Sequence, residues 1–91
     1  MEEQEEQLVR MGGEAEVLLD SDAFSSTVNQ LVDTSFQAFS NSTPDENEKR
    51  EAAYHHYRAL VDIVSTLRQR VQVKDEIVSR KSDDDNNQEE G

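Results

Sequence analysis

Apolar residues along this chain fall into two helical stripes separated by a polar break. Phe24, Val28, Leu31, Val32, Ser35, Phe36 and Phe39 recur at steps of four, three and one. That spacing puts them on one face of an amphipathic helix and predicts a helix over about 22–39. The opposite face is Ser, Thr, Asn and Gln with one acid, Asp33. These are poor helix formers, so packing of the stripe must supply most of the stability. Asp20-Ser21-Asp22 offers several N-caps for this helix. The second stripe is Ala53, Tyr57, Leu60, Val61, Val64, Leu67, Val71 and Val78. Its alternation of four and three to Val71 resembles a coiled-coil seam, and it predicts a helix over about 44–78 with Lys74 on the seam.

The break between the stripes carries its own signal. Thr43 fits an N-cap, Pro44 the first helical position, and Glu46 completes a Thr-x-x-Glu capping box. Thr43→Ala is then expected to cost about 1 kcal/mol. A link this short makes the two helices antiparallel neighbours. The second helix is the longer, so its far end overhangs. Either Val17-Leu18-Leu19, on a short helix over about 14–19, or a second subunit is expected to cover it. Gly12-Gly13 reads as an interruption before that short helix. The expected fold is therefore all-α: an antiparallel helical hairpin. Residues 1–13 are expected to be an acidic flexible segment, 14–80 the helical domain, and 81–91 a disordered acidic tail.

Charge sharpens this division. The chain has 91 residues and a net charge of -12. Residues 1–22 hold eight acids against Arg10 alone, and residues 82–91 hold five acids and no base. Residues 23–43 hold only Asp33, and 44–81 hold seven acids and eight bases. The ends thus carry the charge, whereas the apolar residues lie between them. Length allows one domain. There is no cysteine, hence no disulfide. No apolar run is long enough to span a bilayer, and the acidic start is unlike a secretory signal, so a cytoplasmic protein is expected.

Candidate chemistry is sparse. His55-His56 diverge by about 100° on a helix and cannot readily share one metal ion. Glu51 and His55 share a face, but no third ligand follows at a suitable spacing. The Asp clusters lack the glycine and distal glutamate of a calcium loop, and no phosphate loop or nucleophile elbow is present. No catalytic residue, metal or other cofactor is expected. The sharper candidates are on the second helix. Tyr54, Tyr57 and Arg58 combine the side chains that anchor protein interfaces, and Arg68 and Arg70 add a basic strip with Lys74. These five residues are the expected partner-binding set; the bland alternative is that the tyrosines cap the core. The acidity of the chain argues against nucleic-acid binding.

Ala23-Phe24 through Thr43-Pro44-Asp45, then Lys49-Arg50-Glu51-Ala52-Ala53-Tyr54 and Tyr57-Arg58-Ala59-Leu60, resembles small acidic helical proteins of tailed-bacteriophage genomes. The likeness covers about residues 15–80 and carries over no functional residue. It implies a phage accessory or virion-assembly protein. The functional expectation is a non-catalytic protein–protein interaction or assembly module, a homo-oligomer with a protein partner. The alternative is an acidic inhibitor or nucleic-acid mimic that occupies a basic site on a host protein.

Overall fold

A computed structural model describes the backbone of residues 2–90 and the side chains of residues 2–83. Three helices follow one another: α1 Glu3–Asp20, α2 Asp22–Ser40 and α3 Asn47–Glu90. Helices α1 and α2, laid end to end, span about 55 Å against about 66 Å for α3. Both pack along α3, and they touch each other little. The result is an antiparallel hairpin with one continuous arm and one arm broken in two, a rod of 70 × 23 × 20 Å.

Ser21 makes the break. Its backbone is extended, its N–H donates to Leu18 O at 3.1 Å to close α1, and its hydroxyl accepts from Phe24 N–H at 3.2 Å to open α2. One residue therefore serves both helix ends, as the Asp20-Ser21-Asp22 cluster suggests. At the other end of α2, Asn41 N–H donates to Gln37 O at 2.8 Å and the Ser42 hydroxyl to Phe39 O at 2.6 Å.

The turn uses the expected residues differently. Glu46 N–H donates to Thr43 O at 3.0 Å, and Pro44 and Asp45 are turn residues outside α3, which starts at Asn47. The Thr43 N–H donates to Glu46 Oε1 at 3.1 Å, which is the glutamate half of a capping box. The Thr43 hydroxyl donates to the same oxygen at 3.0 Å and caps no amide. Thr43→Ala should therefore cost less than a lost cap.

Lys49, 2.8 Å from Glu46 Oε2, also holds this carboxylate. The Lys49 contact first, then the Thr43 amide and hydroxyl, lower the Glu46 pKa from 4.5 to about 2. A lowered carboxylate pKa stabilises the turn fully above pH 4.5, and that contribution is lost as the pH falls through about 2. The amide resonance of Thr43 should accordingly titrate with a midpoint near 2. A midpoint at the ordinary carboxylate value would show that these hydrogen bonds are not made in solution.

Two boundaries differ from expectation. Gly12-Gly13 does not interrupt α1, which is helical from Glu3 onward, so residues 3–13 belong to the packed rod. Gly12 is buried against α3, and this packing offsets the roughly 1 kcal/mol that each glycine costs a helix. At the other end, α3 continues through Ser82 to Glu90, where a disordered tail is expected. No glycine or proline lies between Asn47 and Glu90 to stop it. Arg80 and Lys81 therefore sit inside the helix, and its last turn carries no base. Met1 and Gly91, also assigned to the ends, lie outside the described residues.

Helix α1 covers the overhang of α3, and it does so with small residues. Gly12 and Ala15 are buried, whereas Val17 and Leu18 are exposed and only Leu19 of that trio is half-buried. A Cβ at Gly12 would lie 2.5 Å from Arg70 O and 2.4 Å from Lys74 Cβ, so the two backbones meet here as closely as they can. Lys74 lies on the seam as expected and is partnered: its ammonium donates to the Glu16 carboxylate, with Asp75 at 3.6 Å. The Glu16 hydrogen bond raises the Lys74 pKa, against some desolvation. Arg80 and Glu5, 3.7 Å apart, form a second link between α1 and α3.

Candidate interaction site

Among the described residues, the buried apolar side chains are Ala15, Ala53, Leu67 and Ile77. A helix in a two-layer hairpin has one neighbour, so only a narrow seam is covered and the flanks of each stripe stay open. In α2, Ser35 is the buried residue; Phe24, Val28 and Val32 are half-buried, and Leu31, Phe36 and Phe39 are exposed. Phe36 is 61% exposed, although the sequence pattern assigns it to the core.

These open flanks make a groove close to the turn. Ser35, Phe36 and Phe39 from α2 face Ala53, Tyr54 and Tyr57 from α3 across a cavity of about 290 Å³. None of the six lining side chains is charged. Tyr54 is 50% exposed and Tyr57 37%. At one end the Arg50 guanidinium sits 5.3 Å from the centroid of the Phe39 ring, within cation–π range. The opposite side of the hairpin carries a larger cleft of about 450 Å³, where Leu31, Ala38 and Ala52 line it together with the charged Glu46 and Lys49.

The five expected partner-binding residues occupy two places. Tyr54 and Tyr57 line the aromatic groove, and Arg58, one turn beyond Tyr54, is exposed and 3.6 Å from Asp62 on its own helix. An exposed pair of this kind contributes little to stability. Arg68 lies about 21 Å farther along α3 than Tyr54, in a shallow polar depression with Gln72, Asp75 and Arg80. Arg70 is exposed, and its carbonyl abuts Gly12. Beside them, Lys74 and Arg80 already face acids of α1. The sequence reading missed Phe36, Phe39 and Arg50. The available signal was the stripe on α2, which is wider than one helix can cover.

Compared with family models, curated proteins and solved structures, the chain matches none. Among the described residues, no helix is long and apolar enough to cross a membrane.

Proposed function

We propose that this chain is a non-catalytic protein–protein interaction or assembly module that docks through the aromatic groove between α2 and α3. The observation that carries this reading is the set Phe36, Phe39, Tyr54 and Tyr57, four aromatic rings lining one uncharged groove. Aromatic side chains exclude water over a large area at low entropic cost and dominate interface energetics. Arg50 at its end suits a polar rim. The resemblance to phage proteins, which rests on the sequence alone, points to an accessory or virion-assembly role in the host cytoplasm or the virion.

Affinity capture from the producing cell tests this reading. Tyr54→Ala should weaken binding at least about tenfold while the melting temperature stays nearly unchanged, because the ring is half exposed. Undiminished binding, or an unfolded variant, would reassign Tyr54 to structure.

A second reading, an acidic inhibitor or nucleic-acid mimic, gains one point of support. A mimic needs carboxylates on a rigid surface, and Glu3, Glu6, Glu14 and Asp20 stand exposed on a helix docked along α3. Deleting α1 would also uncover the α3 seam, so neutralising substitutions make the cleaner test. Exchanging all four for Gln or Asn should abolish binding by a mimic and spare a groove-docked partner.

A further inference from the structure

Resting on the interaction reading, we infer that the occupant of the aromatic groove is a second copy of this chain, joined about a two-fold axis, with Phe36 of each copy seated in the groove of the other. Three observations converge on a copy rather than a different partner.

The groove carries its own complement. An isologous interface needs one patch that offers both a projection and a recess. Phe36 stands at the rim, 61% exposed, beside a recess of about 290 Å³ whose buried lining residues are Ser35 and Ala53 and whose walls include Phe39 and Tyr57. A two-fold axis through this face exchanges the rings, so both recesses are filled by one operation. Aromatic pairs in such a contact contribute beyond their buried area.

Charge selects this place for a copy. Two chains of -12 each repel wherever their acids meet. Most of the acids lie in α1 and after Lys81, toward the end of the rod away from the turn. From Ala23 to Thr43 the single ionised side chain is Asp33. Helix α2 is therefore where two copies can touch with little repulsion, and a two-fold axis perpendicular to the long axis of the rod directs their acidic ends apart. No side chain lining the groove is charged, and Arg50 stands at its end.

The monomer is thin. Its buried apolar residues number four among those described, two of them alanine, and no large side chain is fully buried. Domains of this size commonly depend on a staple, a metal or oligomerisation. Pairing α2–α3 with α2–α3 gives a four-helix layer in which the open flanks of both stripes are covered.

Sedimentation of the full chain from about 1 to about 100 µM tests this, comparing wild type with Phe36→Asp and with Val17→Asp as control. Val17 is 71% exposed and lies on α1, away from the groove. Wild type should sediment at twice its 10.4 kDa, as should Val17→Asp, and Phe36→Asp should weaken association at least tenfold. Mixed-isotope NMR of the wild-type dimer keeps the test decisive if Phe36→Asp fails to fold. Intermolecular contacts between the Phe36 ring and Phe39 or Tyr57 are expected, and a dimer without them overturns the inference. A monomeric wild type overturns it as well. If such a monomer still captures a cellular protein in a Tyr54-dependent way, the interaction reading survives and the second copy does not. If it captures none, both fall.

Discussion

Gly12→Ala is expected to destabilise the rod by about 1–3 kcal/mol, and Gly13→Ala to leave it unchanged or up to about 1 kcal/mol more stable. The two glycines are adjacent in one helix, so helix propensity alone treats them alike and favours alanine at both. Packing separates them. Around Gly13 nothing lies within 4 Å of an added methyl group. At Gly12 the methyl carbon would stand 2.5 Å from Arg70 O, a backbone atom that can move only if α1 or α3 moves. It would also meet Lys74 Cβ at 2.4 Å, and displacing that side chain disturbs its hydrogen bond to Glu16. Separating the helices far enough to relieve both contacts strips Ala15 of its neighbours. Urea unfolding followed by circular dichroism, at one fixed protein concentration, measures both variants. Equal midpoints for the two would mean that α1 is not seated on α3 in solution.

How far this architecture could be read from the sequence depends on where its determinants lie. The hairpin was legible because they are local: two stripes of helical period, Ser21 in a capping cluster, and the Thr43–Glu46 turn. Helix α1 was not. A Gly-Gly pair signals a break when only backbone entropy is considered, and the reason for Gly12 lies on another helix more than fifty residues away. The end of α3 also differs from the expectation, for the opposite reason. Like charges suggested disorder, whereas the absence of any stop signal lets the helix continue. The groove was half legible. Tyr54 and Tyr57 stood out as possible anchors, but Phe36 and Phe39 were absorbed into the core because a periodic stripe gives no sign of how many neighbours will cover it. Arg68 and Arg70 looked like a free basic strip because the sequence does not reveal that acids of α1 lie against the neighbouring Lys74 and Arg80.

Ile77→Ala is expected to cost about 2–4 kcal/mol, and Val78→Ala less than about 1 kcal/mol. The seam spacing favours the reverse, since Val78 follows Val71 by one heptad and Ile77 falls off the line. The structure buries Ile77 to 3% exposure and leaves Val78 at 47%. The cause is the break at Ser21, which frees α1 to approach α3 on a line different from that of α2. The α1-facing residues of α3 mark that line: Lys74 meets Glu16, Arg80 meets Glu5, and Ile77 lies midway between them. With Leu67, Ile77 is one of the two large apolar side chains buried among the described residues, so truncating it opens a cavity in the seam. Val78 already faces solvent, so its loss opens no cavity. The comparison is internal, since neighbouring β-branched residues of one helix gain similarly in helix propensity on conversion to alanine. Thermal or urea unfolding of the two variants gives the difference directly. A larger loss at Val78 would restore the regular seam and overturn the placement of α1 along α3.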